Sequence, residues 1–238
     1  DRTGKTTVGE YLQSLSVDGA GSVPKSFGNG FAGGGSAISL RGLGAGSTLV
    51  LLNGRRMAPF GLADDGQKVF TDLSTIPLDA VARIEILKDG ASSIYGSDAI
   101  AGVVNVVLKG AGKGGSLVAD VGGYSAGDGR QYQLSGDTGV SFGEGRGFVH
   151  VAGQLTTQDE TNRAGPYQGT APNTGNNPDI GEVAYVYGDP KVDAGAVSAN
   201  AGFAFSDNVS AYATAIASNR DITSFAFYRS PNHSNQGA

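Results

Sequence analysis

The sequence lacks cysteine and tryptophan entirely, and its 238 residues include only two histidines and one methionine. Without cysteine the chain can form neither disulfide bonds nor thiolate metal sites, although this identifies no cellular compartment. No run of about 18 apolar residues occurs, which excludes a membrane-spanning helix. The net charge is −5 at pH 7, so the basic surface that nucleic acids require is missing and no nucleic-acid partner is expected.

Glycine, by contrast, is abundant. The chain has 40 glycines and only 8 prolines. This is about one glycine in six residues, against an average of about 7% in proteins. No Gly-x-y period accompanies the excess, so a collagen-like or proline-rich chain is excluded. We therefore assign the glycines to turns, bends and closely packed strands.

Two glycine motifs resemble nucleotide-binding loops but lack the required context. Gly42-x-Gly44 begins like a dinucleotide fingerprint, yet the third position is Ser47 and the next residues indicate a strand where that fold needs a helix. Gly4-Lys5-Thr6 resembles the end of a phosphate-binding loop without its upstream glycine. We therefore predict that the protein is not an enzyme, with no catalytic residues, no metal site and no cofactor. The alternative of a glycine-rich enzyme with a Ser/His/Asp triad stays open, although the sequence nominates no nucleophile for it.

Up to about residue 110, short helical signals alternate with strands. Thr7 and Glu10 have the spacing of a capping box, and apolar residues then recur at helical spacing, which predicts a helix over residues 7–16. Asn53-Gly54 is a typical hairpin dipeptide, and Pro77 suits the first position of a helical turn. The other predicted elements are strands over 37–41, 48–52, 83–88 and 103–108 and a small helix over 91–95.

After residue 114 the pattern changes to longer strands in which apolar and polar residues alternate. Tyr132 and Leu134 share one face of a strand, for example, while Gln133 and Ser135 share the other. His150 lies on a polar face and is expected to face an interior rather than bind a metal. Such strands are predicted over 117–121, 131–142, 148–155, 197–206 and 209–217, the last too rich in alanine for its faces to be assigned.

This alternation is compatible with two architectures. A transmembrane barrel directs its apolar face to lipid and its polar face to the lumen, whereas a soluble sandwich turns the apolar face inward. Alternation alone favours the soluble sandwich. The links between strands favour the barrel, because those at 143–147 and 206–208 are tight while the link at 158–192 is long, as for periplasmic turns and extracellular loops. The link at 126–129, although expected on the long-loop side, is short.

Two segments, over residues 37–56 and 76–107, resemble the plug domain of TonB-dependent receptors. The first runs A-I-S-L-R-G-L and then T-L-V-L-L-N-G-R-R, and the second contains I-P-L-D-A-V-A-R-I-E-I-L-K-D-G followed by A-S-S-I-Y-G-S-D-A-I-A-G-V-V-N-V-V. The resemblance implies an α+β plug domain, with a small mixed sheet and short helices, over residues 1–112. It also implies antiparallel transmembrane β-barrel strands over 113–238, as an incomplete part of a 22-stranded barrel.

The resemblance implies a receptor in the outer membrane of a Gram-negative bacterium that imports a scarce nutrient, most commonly a ferric siderophore. Its partners would be TonB, the external nutrient, outer-membrane lipid and the remaining barrel strands. TonB would act through an N-terminal peptide for which the residues before the first helix offer no candidate. The alternative is a soluble β-rich binding or adhesion module with no role in transport.

Five or six strands cannot close a barrel, because bacterial barrels need at least about eight strands and plugged transporters have about 22. We therefore expect either a fragment of a longer polypeptide, which we favour, or a wall completed by another chain. The polar residues at 1–3 do not resemble a signal peptide, so a mature or trimmed chain is expected.

Two sets of site residues follow from the resemblance. Arg41, Arg83 and Glu85 match family charges that pair within the plug or with barrel carboxylates; we expect them to be buried and to form a charge lock that opens when the plug moves. The links over 57–67 and 27–35 would be apical loops that face the external ligand, with contacts from Phe60, Asp64 and Asp65. The long link also contains Tyr167, Tyr185 and Tyr187.

Overall fold

The computed structural model describes residues 4–25, 33–61, 69–112, 114–168, 180–183 and 186–224. Over these ranges the chain forms a four-stranded N-terminal sheet and a five-stranded C-terminal sheet. The helical elements are short and comprise α1 (Val8–Gln13), α2 (Ser92–Tyr95) and 3₁₀ turns at Ala45–Ser47, Leu73–Thr75, Leu78–Ala80 and Ser97–Ala99. None of the helices in these ranges has the length and apolar character needed to cross a membrane.

Helix α1 begins at the predicted capping box. The Thr7 hydroxyl accepts a hydrogen bond from the backbone N–H of Glu10 at 3.1 Å, and the Glu10 carboxylate accepts from the backbone N–H of Thr6 at 3.1 Å. The first bond satisfies a donor that a helix start leaves unpaired, whereas the second reaches the residue before the N-cap instead of the N-cap itself. The helix ends at Gln13 rather than at the predicted residue 16. It ends early because the N–H of Leu15 bonds to the residue three positions earlier, as in a tight turn.

The N-terminal sheet has the strand order β2-β1-β4-β3. Its strands are β1 (Thr48–Leu52), β2 (Arg55–Arg56), β3 (Val81–Leu87) and β4 (Gly102–Leu108). Strands β1 and β4 are parallel and the other pairs antiparallel, so the sheet is mixed, as expected. Asn53 and Gly54 have φ values of 49° and 77°, which suit the two central residues of a tight hairpin between β1 and β2.

The predicted strand over 37–41 is wrong. Residues 37–40 are buried but make only isolated bridges, between Val23 and Ala37 and between Asp18 and Leu40, and Arg41 is exposed with a φ of 56°. Side-chain hydroxyls accept from its other amides: the backbone N–H of Leu40 donates to Thr48 Oγ1 at 3.0 Å. A serine or threonine hydroxyl competes with a sheet ladder in this way, so the segment stays outside the sheet.

The C-terminal sheet is an antiparallel meander in the order β5-β6-β7-β8-β9. Its strands are β5 (Gly114–Gly122), β6 (Gln131–Phe142), β7 (Gly147–Gln158), β8 (Lys191–Ser206) and β9 (Val209–Thr223). Each contains one of the five predicted strands and is as long as predicted or longer. The tight links at 143–146 and 207–208 join strands at one end of the sheet, called here the turn end. The links at 123–130 and 159–190 join strands at the opposite end, called here the loop end.

The C-terminal sheet buries its polar face and exposes its apolar face, which is the reverse of a soluble sandwich. Its polar face packs against the N-terminal unit and is buried, with exposed fractions of 9% or less at Gln133, Ser135, His150, Thr156, Ser198 and Asn200. The apolar face is open, with exposed fractions from 41% to 79% at Leu117, Val121, Leu134, Val140, Val151, Leu155 and Val197. The alternation that was ambiguous in the sequence therefore has the orientation of a barrel wall.

Strand pairing also assigns the faces of β9. Thr214 pairs with the inward-facing Asn200, which places the alanines 211, 213, 215 and 217 on the outward face. Ile216 lies inward and packs against the core cluster that contains Leu12, Leu73 and Val104. The core of the N-terminal unit therefore extends to the polar face of the C-terminal sheet.

Candidate functional site

The interface between the N-terminal unit and the C-terminal sheet holds most of the buried polar chemistry that the structure describes. At the loop end, Arg220 of β9 forms an ion pair with Asp72, with 2.6 Å between Nη2 and Oδ2. The exposed side-chain fractions are 17% for Arg220 and 3% for Asp72. Arg220 also donates to the carbonyl oxygen of Gly34 at 2.8 Å and to the hydroxyl of Ser74.

In the middle of the interface, uncharged asparagine side chains form the hydrogen bonds that join the two units. Asn53, in the hairpin turn, donates from Nδ2 to Asn200 Oδ1 at 3.2 Å and to Thr214 Oγ1 at 3.1 Å. Its own Oδ1 accepts from the backbone N–H of Leu108 at 2.9 Å. One side chain therefore links β1, β4, β8 and β9, which explains why asparagine suits this turn beyond its tolerance of positive φ.

Toward the turn end, Asp137 of β6 is the centre of a polar cluster whose other members are His150, Lys109 and Ser116. Its carboxylate accepts from Lys109 Nζ at 3.0 Å and from Ser116 Oγ at 2.5 Å, and lies 2.9 Å from His150 Nε2. Asp137 and His150 are each 7% exposed. His150 thus faces the interior, as predicted, and in the described ranges no group of three or more metal-ligating side chains is found. Lys109 belongs to the link between the two sheets, so this cluster anchors that link.

The three predicted charges lie away from this interface. Arg83 and Glu85 form an ion pair at 2.8 Å, and Glu85 also accepts from Asn105 Nδ2 at 2.9 Å. The hydrogen bond from Asn105, followed by that from Arg83, holds the pKa of Glu85 below its ordinary value. Arg41 has a φ of 56° and donates to two backbone carbonyls, those of Ile100 and Ala101.

The expected burial of these charges is not found in this chain. Arg83 and Glu85 are 62% and 49% exposed, and Arg41 is exposed as well. The reason is the alternation of β3, in which Ile84 and Ile86 pack toward the core while Arg83 and Glu85 project from the opposite face of the sheet. That face lies away from the C-terminal sheet.

The described parts of both predicted apical loops lie at the loop end. Phe60 stacks on Phe70, with 5.3 Å between ring centroids, and the Arg220 guanidinium lies 5.8 Å from its ring. Gly34 contacts Ile222, near the end of β9. The other predicted ligand contacts, Asp64 and Asp65, lie outside the described residues, as does Tyr185.

Two links of the C-terminal sheet are joined at the same end. Arg163 binds both carboxylate oxygens of Asp128, at 2.5 and 2.9 Å, and its guanidinium lies 5.2 Å from the Tyr124 ring. Tyr124 donates its phenol hydrogen to Asp189 at 2.8 Å. This hydrogen bond, with a smaller contribution from burial, raises the pKa of Tyr124 to about 12. The long link is therefore tied to the shorter one, and its Tyr187 is 68% exposed.

The same shorter link contains Gly123-Tyr124-Ser125-Ala126-Gly127, which fits the G-x-S-x-G pattern of a nucleophile elbow. That motif requires a strand followed directly by a helix, whereas this segment joins two antiparallel strands. The structural context for a nucleophilic serine is therefore missing.

Sequence reasoning missed the charged pairs of the interface. Asp137 was recognisable as a charge on a polar strand face, and Lys109 as a charge in the link before it. Asp72 and Arg220 could not be matched to each other from the sequence, because 148 positions separate them. A single arginine on an otherwise uncharged inward face of β9 is the only local indication of the pair.

Comparison with known proteins identifies the fold. Residues 1–103 match the TonB-dependent receptor plug domain family. A mutant ferric enterobactin receptor (PfeA) of Pseudomonas aeruginosa, solved with enterobactin, superposes with a TM-score of 0.67 at 20% identity, over 90% of this chain and 31% of that one. The siderophore receptors PirA of Pseudomonas aeruginosa and PiuA of Acinetobacter baumannii both give TM-scores of 0.51. PirA is 20% identical over 77% of this chain and 29% of its own, and PiuA 16% identical over 92% and 35%.

Proposed function

Since the chain carries the plug domain of a TonB-dependent receptor followed by antiparallel strands, we propose that it is part of a transporter that imports a scarce nutrient across the bacterial outer membrane. We place the plug domain at residues 1–112 and the first part of the barrel wall at 113–238. The chain spans about a third of the length of the solved receptors, with 31% of the ferric enterobactin receptor covered. The transport activity is thus proposed for the whole protein.

The observation that carries this proposal is the polarity of the C-terminal sheet. Its polar face is buried against the plug, and its exposed face carries side chains such as Leu117 and Leu155, which are 79% and 62% exposed. Exposing such a face to water is costly, at about 25 cal/mol per Å² of apolar surface, whereas lipid solvates it. This distribution opposes the alternative of a soluble binding or adhesion module, in which the apolar face would be covered.

The edges of the sheet support a larger wall. Strands β5 and β9 each have one neighbour in the described residues, and their outer edges would leave backbone groups unpaired in lipid. We propose that further strands, from the rest of the polypeptide or from another chain, complete a barrel of about 22 strands around the plug.

We propose a ferric siderophore as the imported nutrient and TonB as the energy-transducing partner. Support comes from the structural neighbours, which include receptors described as binding ferric enterobactin. The ligand would contact the apical loops, with Phe60 as one contact in the described residues. The TonB-dependent receptor family is not a family of enzymes, so binding and release take the place of bond chemistry.

We propose the charge lock with one change, namely that its three charges lie exposed on the plug surface of this chain. Arg83 and Glu85 pair with each other on the plug surface and Arg41 ties to backbone carbonyls. We propose that the remaining wall would face this surface in the whole protein, where carboxylates could exchange partners with the two arginines.

The proposal is tested with the full-length protein in cells that have or lack TonB. We expect the protein in the outer-membrane fraction and uptake of radioactive iron supplied as ferric enterobactin only when TonB is present. Absence of the protein from the outer membrane would reject the receptor proposal. TonB-independent uptake would reject the role of TonB, and absence of uptake with correct localisation would reject this siderophore as the nutrient.

A further inference from the structure

Asp72 occupies an unusual position, because its buried carboxylate collects hydrogen bonds from three parts of the chain. It accepts from the backbone N–H of Ser36 at 3.0 Å, from that of Ser74 at 3.0 Å and from the Ser74 hydroxyl at 2.7 Å, all at Oδ1. Oδ2 accepts from Arg220 at 2.6 Å. Burying a carboxylate to 3% exposure is costly unless such donors replace its hydration.

Two of these donors lie C-terminal to the two apical loops. Ser36 comes immediately after the loop over 27–35, and Ser74 lies seven residues after the loop over 57–67. Asp72 therefore connects the two segments that follow these loops in the chain. The hydrogen bonds from Ser36 and Ser74 lie within the plug, so by themselves they connect the two loops to each other and not to the wall.

Arg220 extends this connection to the wall. Its guanidinium uses Nη2 for Asp72 and Nη1 for the carbonyl oxygen of Gly34, at 2.8 Å, while its plane lies near the Phe60 ring. One side chain on β9 therefore contacts Asp72, one apical loop at Gly34 and the other at Phe60. A planar guanidinium can serve several such partners at once, and a lysine ammonium lacks this fork.

We propose that Arg220 and Asp72 form an apical clamp that holds both ligand-facing loops of the plug against the barrel wall. Movement of either loop must then break contacts at the same guanidinium. Removing Arg220 would leave the Asp72 charge buried with fewer donors, which is far more costly than losing a surface ion pair. The assignment of the loops to a ligand rests on the proposed function, whereas the clamp rests on these contacts alone.

Amide hydrogen exchange of the purified full-length protein in detergent tests the clamp. We expect Arg220→Gln to accelerate exchange by about tenfold or more over residues 33–36 and 72–74, because removal of one partner of a buried pair exposes the amides it orders. Asp72→Asn should act on the same two segments, and the double variant should exceed neither single variant greatly, as for coupled residues. Unchanged exchange over 33–36 in Arg220→Gln, or fully additive effects, would overturn the clamp.

Two further variants separate a clamp from general destabilisation. Arg220→Lys keeps a charge beside Asp72 but loses the second branch, which donates to Gly34 and to the Ser74 hydroxyl, so exchange over 33–36 and 72–74 should rise by less than in Arg220→Gln. Arg146→Gln removes an exposed arginine in the tight turn at the opposite end of the sheet and should change neither segment. Equal acceleration of all segments, including 131–142 of β6, would instead indicate unfolding and would count against a specific clamp. Because the readout is independent of transport, loss of TonB-dependent uptake would bear on the proposed function without altering this result.

Discussion

A charge placed on the outward face of the C-terminal sheet distinguishes a membrane wall from a soluble sheet by its energetic cost. Val151 lies outward in β7 between Thr138 of β6 and Ala199 of β8, and is 41% exposed. In water, Val151→Arg would add a solvated charge at a surface site, with an effect within about 0.5 kcal/mol. In a bilayer the same arginine lies near the hydrocarbon centre and should destabilise the protein by about 2–4 kcal/mol.

The position of Val151 makes this estimate specific. Transmembrane strands need about 9–11 residues, so a site near the middle of β7 lies far from both interfaces. Val209, which is 56% exposed at the start of β9 beside the tight turn, offers a matched control. Val209→Arg should cost only about 0–1 kcal/mol, because a charge near the interface reaches water. The predicted difference between the two variants is therefore about 2 kcal/mol or more.

The assay is the fraction of full-length protein folded in lipid vesicles across a guanidinium titration, read from the electrophoretic mobility of folded and unfolded forms. The shift in midpoint and the slope give the change in unfolding free energy. Val151→Leu is the control for packing at the same site. Equal and small effects of the two arginine variants would refute the assignment of this face to lipid.

Three further predictions concern local structure in the full-length protein. Thr7→Ala should destabilise α1 by about 0.5–2 kcal/mol through loss of its cap, measured as faster amide exchange over residues 8–13; exchange equal to that of the unmodified protein would contradict the capping role. Gly188→Ala should loosen the long link, because a Cβ there collides with Thr161, and limited proteolysis within 159–168 should become faster, whereas Gly165→Ala, at an open position, should not change it. Tyr124 has a pKa raised to about 12 by Asp189, so its contribution to stability is present below the unfolded value of about 10 and is lost as pH rises through 12; ultraviolet titration should lose one late-titrating phenol in Tyr124→Phe, and loss of a phenol that titrates near 10 would refute the pairing.

Features set by neighbouring residues followed directly from the sequence. The capping box at Thr7, the hairpin turn at Asn53-Gly54 and the alternation of 131–142 depend on contacts within a few residues, and each is present in the structure. The predicted strand over 37–41 was wrong because its hydrogen bonds depend on residues outside the segment. Its alternation resembles a strand, but hydroxyls supplied by distant residues, Ser22 and Thr48, take the amides that a ladder would have used.

The site residues also divide into those set by neighbouring residues and those set by contacts between distant parts of the chain. The Arg83–Glu85 pair was predictable as a pair, because the two residues lie two positions apart on one face of a strand. Their exposure was not, since it depends on which side of the N-terminal sheet meets the second sheet. The Asp72–Arg220 and Lys109–Asp137 pairs depend entirely on that meeting.

The sequence alone showed the resemblance of the plug segments to their family, predicted five or six strands after them and revealed two chemically different strand faces, because period-two patterning is a property of the backbone. It could not determine which face is buried, because alternation is the same for a sandwich and a barrel wall. Only the tertiary structure decided this, by packing Gln133, Ser135 and His150 against the plug and leaving Leu117, Leu134 and Leu155 open. The orientation rests on contacts between residues far apart in the chain, and those contacts exist only once both sheets are folded.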